Sequence, residues 1–204
     1  MLEINLPLVN LHVDAIEPGQ HTHIFARVNS GKTFNAIKIA FELALKLQPT
    51  NQHVLIVNVE LDINLVIQRF DQVRRALKLD QIPSNIIFKH IAYGSTPNDI
   101  LDIIKNYRGI SMNISHAVID DVGLMGIDSE EITEMNSEQR KLHVLTHLYK
   151  MSQEYAFAIV AFHQLSRSYS SDFNFKDYVN DYQDIVMKWC KSHKGDIKIL
   201  HTPR

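Results

Sequence analysis

Ala26-Arg27-Val28-Asn29-Ser30-Gly31-Lys32-Thr33 decides the fold. The stretch follows a strand-like His23-Ile24-Phe25 and opens a helical run from Phe34 to Leu47. A phosphate-binding loop needs that setting, because its main-chain N–H groups and a helix amino terminus must converge on the same oxygens. The usual pattern is Gly, four residues, then Gly-Lys-Ser/Thr, and here Ala26 stands at the first glycine. Gly31 permits close approach of the backbone, Lys32 reaches the β/γ-phosphates and Thr33 can hold Mg²⁺. A chance Gly-Lys-Thr on a helix cap is the alternative, and the strand–loop–helix context argues against it. Asn29, Ser30, Gly31, Lys32, Thr33 and Phe34 are the expected nucleotide cradle.

Outward from the loop, strand and helix patterns alternate. Val54-Leu55-Ile56-Val57 is a continuous β-branched run, the pattern of a strand buried on both faces. Ile63, Val66, Ile67, Phe70, Val73 and Leu77 then recur at helical spacing. Residues 86–91 read as a strand, and Thr96-Pro97-Asn98-Asp99 has the cap, first-turn proline and third-position acid of a helix start. Residues 116–121 form a strand ending in acids; a long amphipathic segment over 137–155 precedes a buried strand at 157–162. Residues 184–189 and 196–200, joined by a Lys-Ser-His-Lys-Gly turn, read as a hairpin. This alternation predicts a mostly parallel sheet flanked by helices, with a C-terminal β-hairpin.

Composition narrows the class. The 204 residues are 45% hydrophobic and 22% charged with 7 Gly and 6 Pro, which excludes a disordered tail, a collagen-like repeat and a rod. No stretch approaches the roughly 18 apolar residues of a membrane helix, and the amino terminus lacks a signal-peptide pattern. A single cysteine, Cys190, excludes a disulfide framework, so the cytoplasm is the default compartment. The net charge of −2 gives no bulk attraction to nucleic acid or membrane. The 11 histidines are scattered; His21 and His23 would share one face of a strand, and nothing beside them completes a metal set.

Acids at strand ends carry the remaining chemistry. Asp120 and Asp121 end a buried strand, where an unpaired carboxylate is costly, and Asp120 beside the loop can hold Mg²⁺. Glu60 ends another strand and can take a proton from an attacking water; a helix cap or an exposed turn acid is the equal alternative. His163-Gln164 can sense a γ-phosphate or be a plain polar strand end.

The ordered set resembles the RecA-type ATPase core of DnaB-like replicative helicases, including the T-even phage helicases. The resemblance rests on Ala26-Arg27, on Val59-Glu60-Leu61 followed by a helix with Arg69, and on Ala117-Val118-Ile119-Asp120-Asp121 before Gly123-Leu124-Met125. Gln164-Leu165-Ser166-Arg167 completes it. It implies a RecA-like P-loop NTPase fold, ATP and Mg²⁺ as ligands, Glu60 as base and Thr33 with Asp120 on the metal. Lys32, Gln164 and His163 would act on the phosphates. Asp121 stands where the family usually has an aromatic, and His163 where a serine is common.

The family also implies a hexamer-type ring with ATP between subunits and single-stranded DNA in the pore. Lys188 fits the lysine of its inter-subunit finger pair, while the arginine position falls on Cys190, leaving Lys191 or Lys194 as substitutes. The expected DNA loops are 126–136, which is acidic, and 166–181, which offers Arg167, Lys176 and four aromatics. Residues 1–16 form an extension before the ATPase domain, 17–204. The competing reading is an ATP-binding accessory or loader protein, with a helicase or replisome partner and weak or no hydrolysis. A small-molecule kinase ranks last, Arg74-Arg75 being the adjacent arginine pair available to a lid.

Overall fold

The computed structural model describes residues 16–27, 31–127, 135, 137–165 and 197–201. Six strands form one sheet: β1 (His21–Arg27), β2 (Gln52–Asn58), β3 (Ile86–His90), β4 (Asn113–Asp120), β5 (Ala158–Leu165) and β6 (Ile197–His201). Their order is β3-β2-β4-β5-β1-β6, and every ladder is parallel. Among the described residues, four helices lie one in each connection from β1 to β5: α1 (Lys32–Leu47), α2 (Ile63–Ala76), α3 (Pro97–Gly109) and α4 (Ser137–Glu154).

Strand faces explain the layers. Along β2, Leu55 and Val57 join one core cluster with α3 and α4, while Val54 and Ile56 join another with α1 and α2. Side chains alternate across a strand, so an unbroken apolar run is what a sheet covered on both sides requires. In β5, Ile159 and Ala161 face one cluster, and Ala158, Val160 and Phe162 the other. Each large side chain so buried stabilises by about 1.5–3 kcal/mol relative to exposure.

Local signals set the helix ends. Thr96 and Asp99 form the reciprocal capping box at the start of α3, with Asp99 Oδ2 2.7 Å from the Thr96 N–H. Asp62 caps α2 by accepting from the Asn64 N–H at 2.8 Å. On α2, Val66, Phe70 and Val73 are buried, whereas Ile63 and Ile67, which share the helical spacing, remain exposed. Helical periodicity marks a face; how far α1 covers that face is decided by packing.

The chain moves outward from β1 through β2 to β3 using α1 and α2, then returns through α3 and α4 to β4 and β5. Right-handed crossovers put helices for opposite directions on opposite faces. The carboxyl ends of β1, β2, β4 and β5 therefore gather where the direction reverses, the usual place for a ligand crevice. The expected hairpin is described only in its second arm, which is β6 and pairs in parallel with β1; the first arm, 184–189, lies outside the described residues.

Candidate functional site

Gly31 starts the site. It is the residue before α1, with φ 79° and ψ 23°, a left-handed conformation that glycine adopts without a Cβ clash. No acid stands in the first turn of α1, and no side chain caps it. The helix thus presents its N–H groups and positive dipole end to an anion.

Lys32 leads into a ring of carboxylates. Its Nζ lies 2.7 Å from Glu60 Oε2, 2.9 Å from Asp120 Oδ1 and 3.0 Å from Asp121 Oδ2. The Lys32 side chain is 6% exposed and that of Glu60 32%. Burial alone would depress the lysine, but the charges of Asp120 and Asp121 and the hydrogen bond to Glu60 outweigh it and hold the ammonium above the ordinary lysine range. Burial pushes the Asp120 carboxyl up from the ordinary carboxylate value, against the opposing pull of Lys32 and Thr33.

Thr33 Oγ1 donates to Asp120 Oδ2 at 2.6 Å. Asp120 Oδ1 is buried and has no hydrogen-bond partner, so charge alone ties it to Lys32. A hydroxyl beside a carboxylate whose other buried oxygen makes no hydrogen bond fits Mg²⁺, which takes one or two protein oxygens and completes its octahedron with phosphate and water. Among the described residues, no cluster of three or more His, Cys, Asp or Glu is placed to hold a metal ion by itself.

Glu60 is not a helix cap, since Asp62 performs that role. Its turn is held by Asn58, a buried residue at the end of β2 whose Oδ1 accepts from the Leu61 N–H at 3.1 Å and lies 3.3 Å from His90 Nδ1. Asn58 was not legible as a site residue; the signal is a polar side chain closing an apolar strand two positions before an acid.

Asp121 is the other residue whose part the sequence left unread. It is buried, and it bonds Lys32, the Gly123 N–H at 2.7 Å and the Gln164 N–H at 3.0 Å. Two consecutive acids on a strand buried on both faces are the available signal, because each needs its own compensation.

His163 sits inside the core, with Nε2 3.0 Å from His23 Nδ1. Burial first, then the charges of Lys141 and Lys32, lower its pKa to about 3. His23 is likewise held well below the ordinary value by burial and by His163. Both are neutral at pH 7, and the His21 and His23 rings stack on one face, 5.9 Å apart. Phe34 packs on the core beside α1 and α2.

Arg69 bonds Gln72 on the exposed side of α2. Arg74 and Arg75 pair with Asp71, and Arg74 also donates to the Leu79 carbonyl at 2.8 Å, so that pair closes the end of α2. Asn29, Ser30, Arg167, Lys176, Lys188, Lys191 and Lys194 lie outside the described residues, as does most of the first expected DNA loop.

Comparison with solved structures finds the same arrangement of strands and helices. A DnaB-like replicative helicase, described with its interactions with primase, matches with a TM-score of 0.58 at 17% identity over 74% of this chain. The separately solved ATPase domain of a second helicase matches with a TM-score of 0.60 at 15% identity over 83% of this chain and 67% of its own. The fold is that of DnaB-like helicase ATPase domains. This α/β, RecA-like sheet spans 40% of the length of the replicative helicase it matches. No protein-family profile and no curated protein matches the chain. Among the described residues, no helix is long and apolar enough to cross a membrane.

Proposed function

We propose that this chain is the ATP-hydrolysing core of a DnaB-like helicase, with residues 17–204 as its ATPase domain. The observation that carries the reading is the meeting of Lys32, Thr33, Glu60 and Asp120 at one helix amino terminus. A phosphate-binding cation, a metal-binding hydroxyl and carboxylate, and a partly exposed acid are the parts phosphoryl transfer to water needs.

The roles follow from position. Lys32 and the α1 N–H groups bind and orient the phosphates of ATP. Glu60, the most solvent-open of the three acids on Lys32, takes the proton of the attacking water. Gln164, near the end of β5, is the residue we assign to reporting on the terminal phosphate. Bound at Thr33 and Asp120, Mg²⁺ supplies positive charge to the transferring phosphoryl group. His163, neutral and buried, acts through β1 and β5 packing rather than as a proton carrier.

Work on single-stranded DNA in a homo-oligomeric ring is the finer part of the proposal. Arg167 and Lys176 are the DNA contacts we assign, and Lys188, Lys191 and Lys194 the candidates for the cation given to a neighbour's site. The compartment we assign is the cytoplasm, consistent with one cysteine in the chain.

The test is ATP hydrolysis against protein concentration, with and without single-stranded DNA, using Lys32→Ala as control. A rate per chain that rises with concentration and with DNA supports a motor with sites completed between copies. ATP binding with a flat, near-zero rate supports an accessory or loader role. Unchanged nucleotide affinity in Lys32→Ala removes the assignment of the site.

A further inference from the structure

Three acids contact Lys32, and they differ in what else they hold. Glu60 sits on the turn after β2, and Asp120 is bonded to Thr33. Asp121 alone among them bonds main chain on β5. Its Oδ1 takes the Gly123 N–H at 2.7 Å, while its Oδ2 takes both the Gln164 N–H and Lys32 Nζ, each at 3.0 Å.

The sheet explains why a side chain can take that place. The β4–β5 ladder ends at Ile119↔Ala161, whereas β5 continues alongside β1 as far as Leu165. Beyond Ala161, β5 has lost the main-chain partner on its β4 side. The Asp121 carboxylate stands in for it and captures the Gln164 amide. One oxygen therefore answers both to the phosphate-loop lysine and to the backbone of Gln164, the residue assigned above to sensing the γ-phosphate.

We propose that Asp121 is a positioning residue that couples Lys32 to Gln164, sharing Oδ2 between the ammonium and the Gln164 N–H. The inference rests on the ATP reading of the site. With no phosphate present, Asp121 competes for Lys32. When Lys32 turns to a phosphate, Oδ2 is left with the Gln164 N–H, and that bond strengthens because its acceptor has lost a competing donor. Occupancy at α1 is thereby written into the position of the β5 end without a contact between Gln164 and the nucleotide.

The substitution that separates this from a packing role is Asp121→Asn. Its volume is nearly unchanged, but Asn carries no charge and has one acceptor oxygen, so it cannot serve the Gly123 N–H on one side and the Gln164 N–H with Lys32 on the other. Lys32 then has one competitor fewer, so ADP and a non-hydrolysable ATP analogue should bind several-fold more tightly. The kcat should fall by about tenfold while KM falls as well, the split expected when ground-state competition and transition-state positioning are lost together. Simple loss of stability lowers the active fraction without lowering KM.

The direct readout is the Gln164 amide resonance during titration with ADP and Mg²⁺. In the wild-type chain it should follow the binding curve; in Asp121→Asn binding should persist while that amide stops responding. Equal affinity and an equal Gln164 response in the two proteins overturn the coupling. If Asp121→Asn does not fold, Asp121→Glu, which keeps the charge but lengthens the reach, should bind with a weakened Gln164 response. A wild-type response there also overturns it. A wild-type chain that takes no nucleotide overturns the ATP reading, and this coupling with it; wild-type binding with no Gln164 response overturns the coupling alone.

Discussion

Thr33 Oγ1 and Asp120 Oδ2 stand 2.6 Å apart although 87 positions separate the two residues in sequence. The contact joins the first turn of α1 to the end of β4, and it brings together the hydroxyl and the carboxylate proposed above to hold Mg²⁺.

Thr33→Ala should therefore separate metal dependence from nucleotide binding. ADP affinity without Mg²⁺ is expected to change little, while the gain on adding Mg²⁺ shrinks by roughly tenfold, as for loss of one charge-assisted contact. Calorimetry with and without Mg²⁺ decides it; an undiminished Mg²⁺ effect would move the metal away from Thr33.

Glu60→Gln keeps a hydrogen-bond acceptor for Lys32 and removes the carboxylate proposed as the base. ATP binding should remain within a few-fold of wild type, and turnover should fall by roughly 10²–10⁴. Normal hydrolysis by that variant would exclude Glu60 from proton transfer.

Removing Lys32 should also cost stability, because it leaves Asp120 and Asp121 buried with no cation. Breaking a buried pair in this way typically costs about 3–5 kcal/mol, and Lys32→Met is expected near the lower end because Glu60 is partly open to solvent. Denaturant unfolding of folded Lys32→Met measures it. A midpoint equal to wild type would mean the acids are already neutralised by protonation.

The histidine pair gives a pH dependence whose sign is determined. The folded values of His23 and His163 lie below the ordinary 6.5, so the unfolded chain takes up protons first as pH falls. Stability is complete above about pH 6.5 and declines as pH drops, for His163 down to about 3, by at most about 1.4 kcal/mol per pH unit for each group. Melting temperature against pH should show this decline, with a shallower slope in His163→Gln. An equal slope in that variant would assign the acid sensitivity elsewhere.

Gly126 meets another loop without room for a side chain. A Cβ there would lie 2.0 Å from the Gly94 carbonyl oxygen, and the two segments are joined by Gly94 N–H to Leu124 O and Gly126 N–H to Ser95 O. Gly126→Ala must part the loops after β3 and β4. A loss of about 1–3 kcal/mol is expected, the range for overpacking a tight contact. Gly109→Ala, where nothing lies within 4 Å, is the control for thermal melting.

Legibility followed the range of the interactions. The Gly31-Lys32-Thr33 junction and the Thr96–Asp99 box are local, and each was readable from a few neighbouring residues. Strands β2, β4 and β5 were readable because a sheet covered on both faces needs unbroken apolar runs. The convergence of Glu60, Asp120 and Asp121 on Lys32 was not, because it depends on which strands become neighbours. His23 and His163 read as scattered histidines for the same reason. Only the β1–β5 register, with His23 opposite Ala161 and Phe25 opposite His163, makes them diagonal partners. The exposure of Ile63 and Ile67 depends on how α1 sits over α2, which helical spacing does not specify.

The place of β1 in the sheet has a consequence for biosynthesis. Among the described residues, His21–Arg27 is the first strand made, yet it pairs with Ala158–Leu165 and Ile197–His201, the last two. As the chain leaves the ribosome, this strand must wait, unpaired, until more than a hundred residues have followed it, while β2, β3 and β4 can already pair with one another. The nucleotide site proposed above follows that waiting strand in sequence, at Gly31-Lys32-Thr33. Nascent chains interrupted before β5 should therefore hold a partial sheet and no ligand site, and the ability to capture ATP should appear late and abruptly in translation.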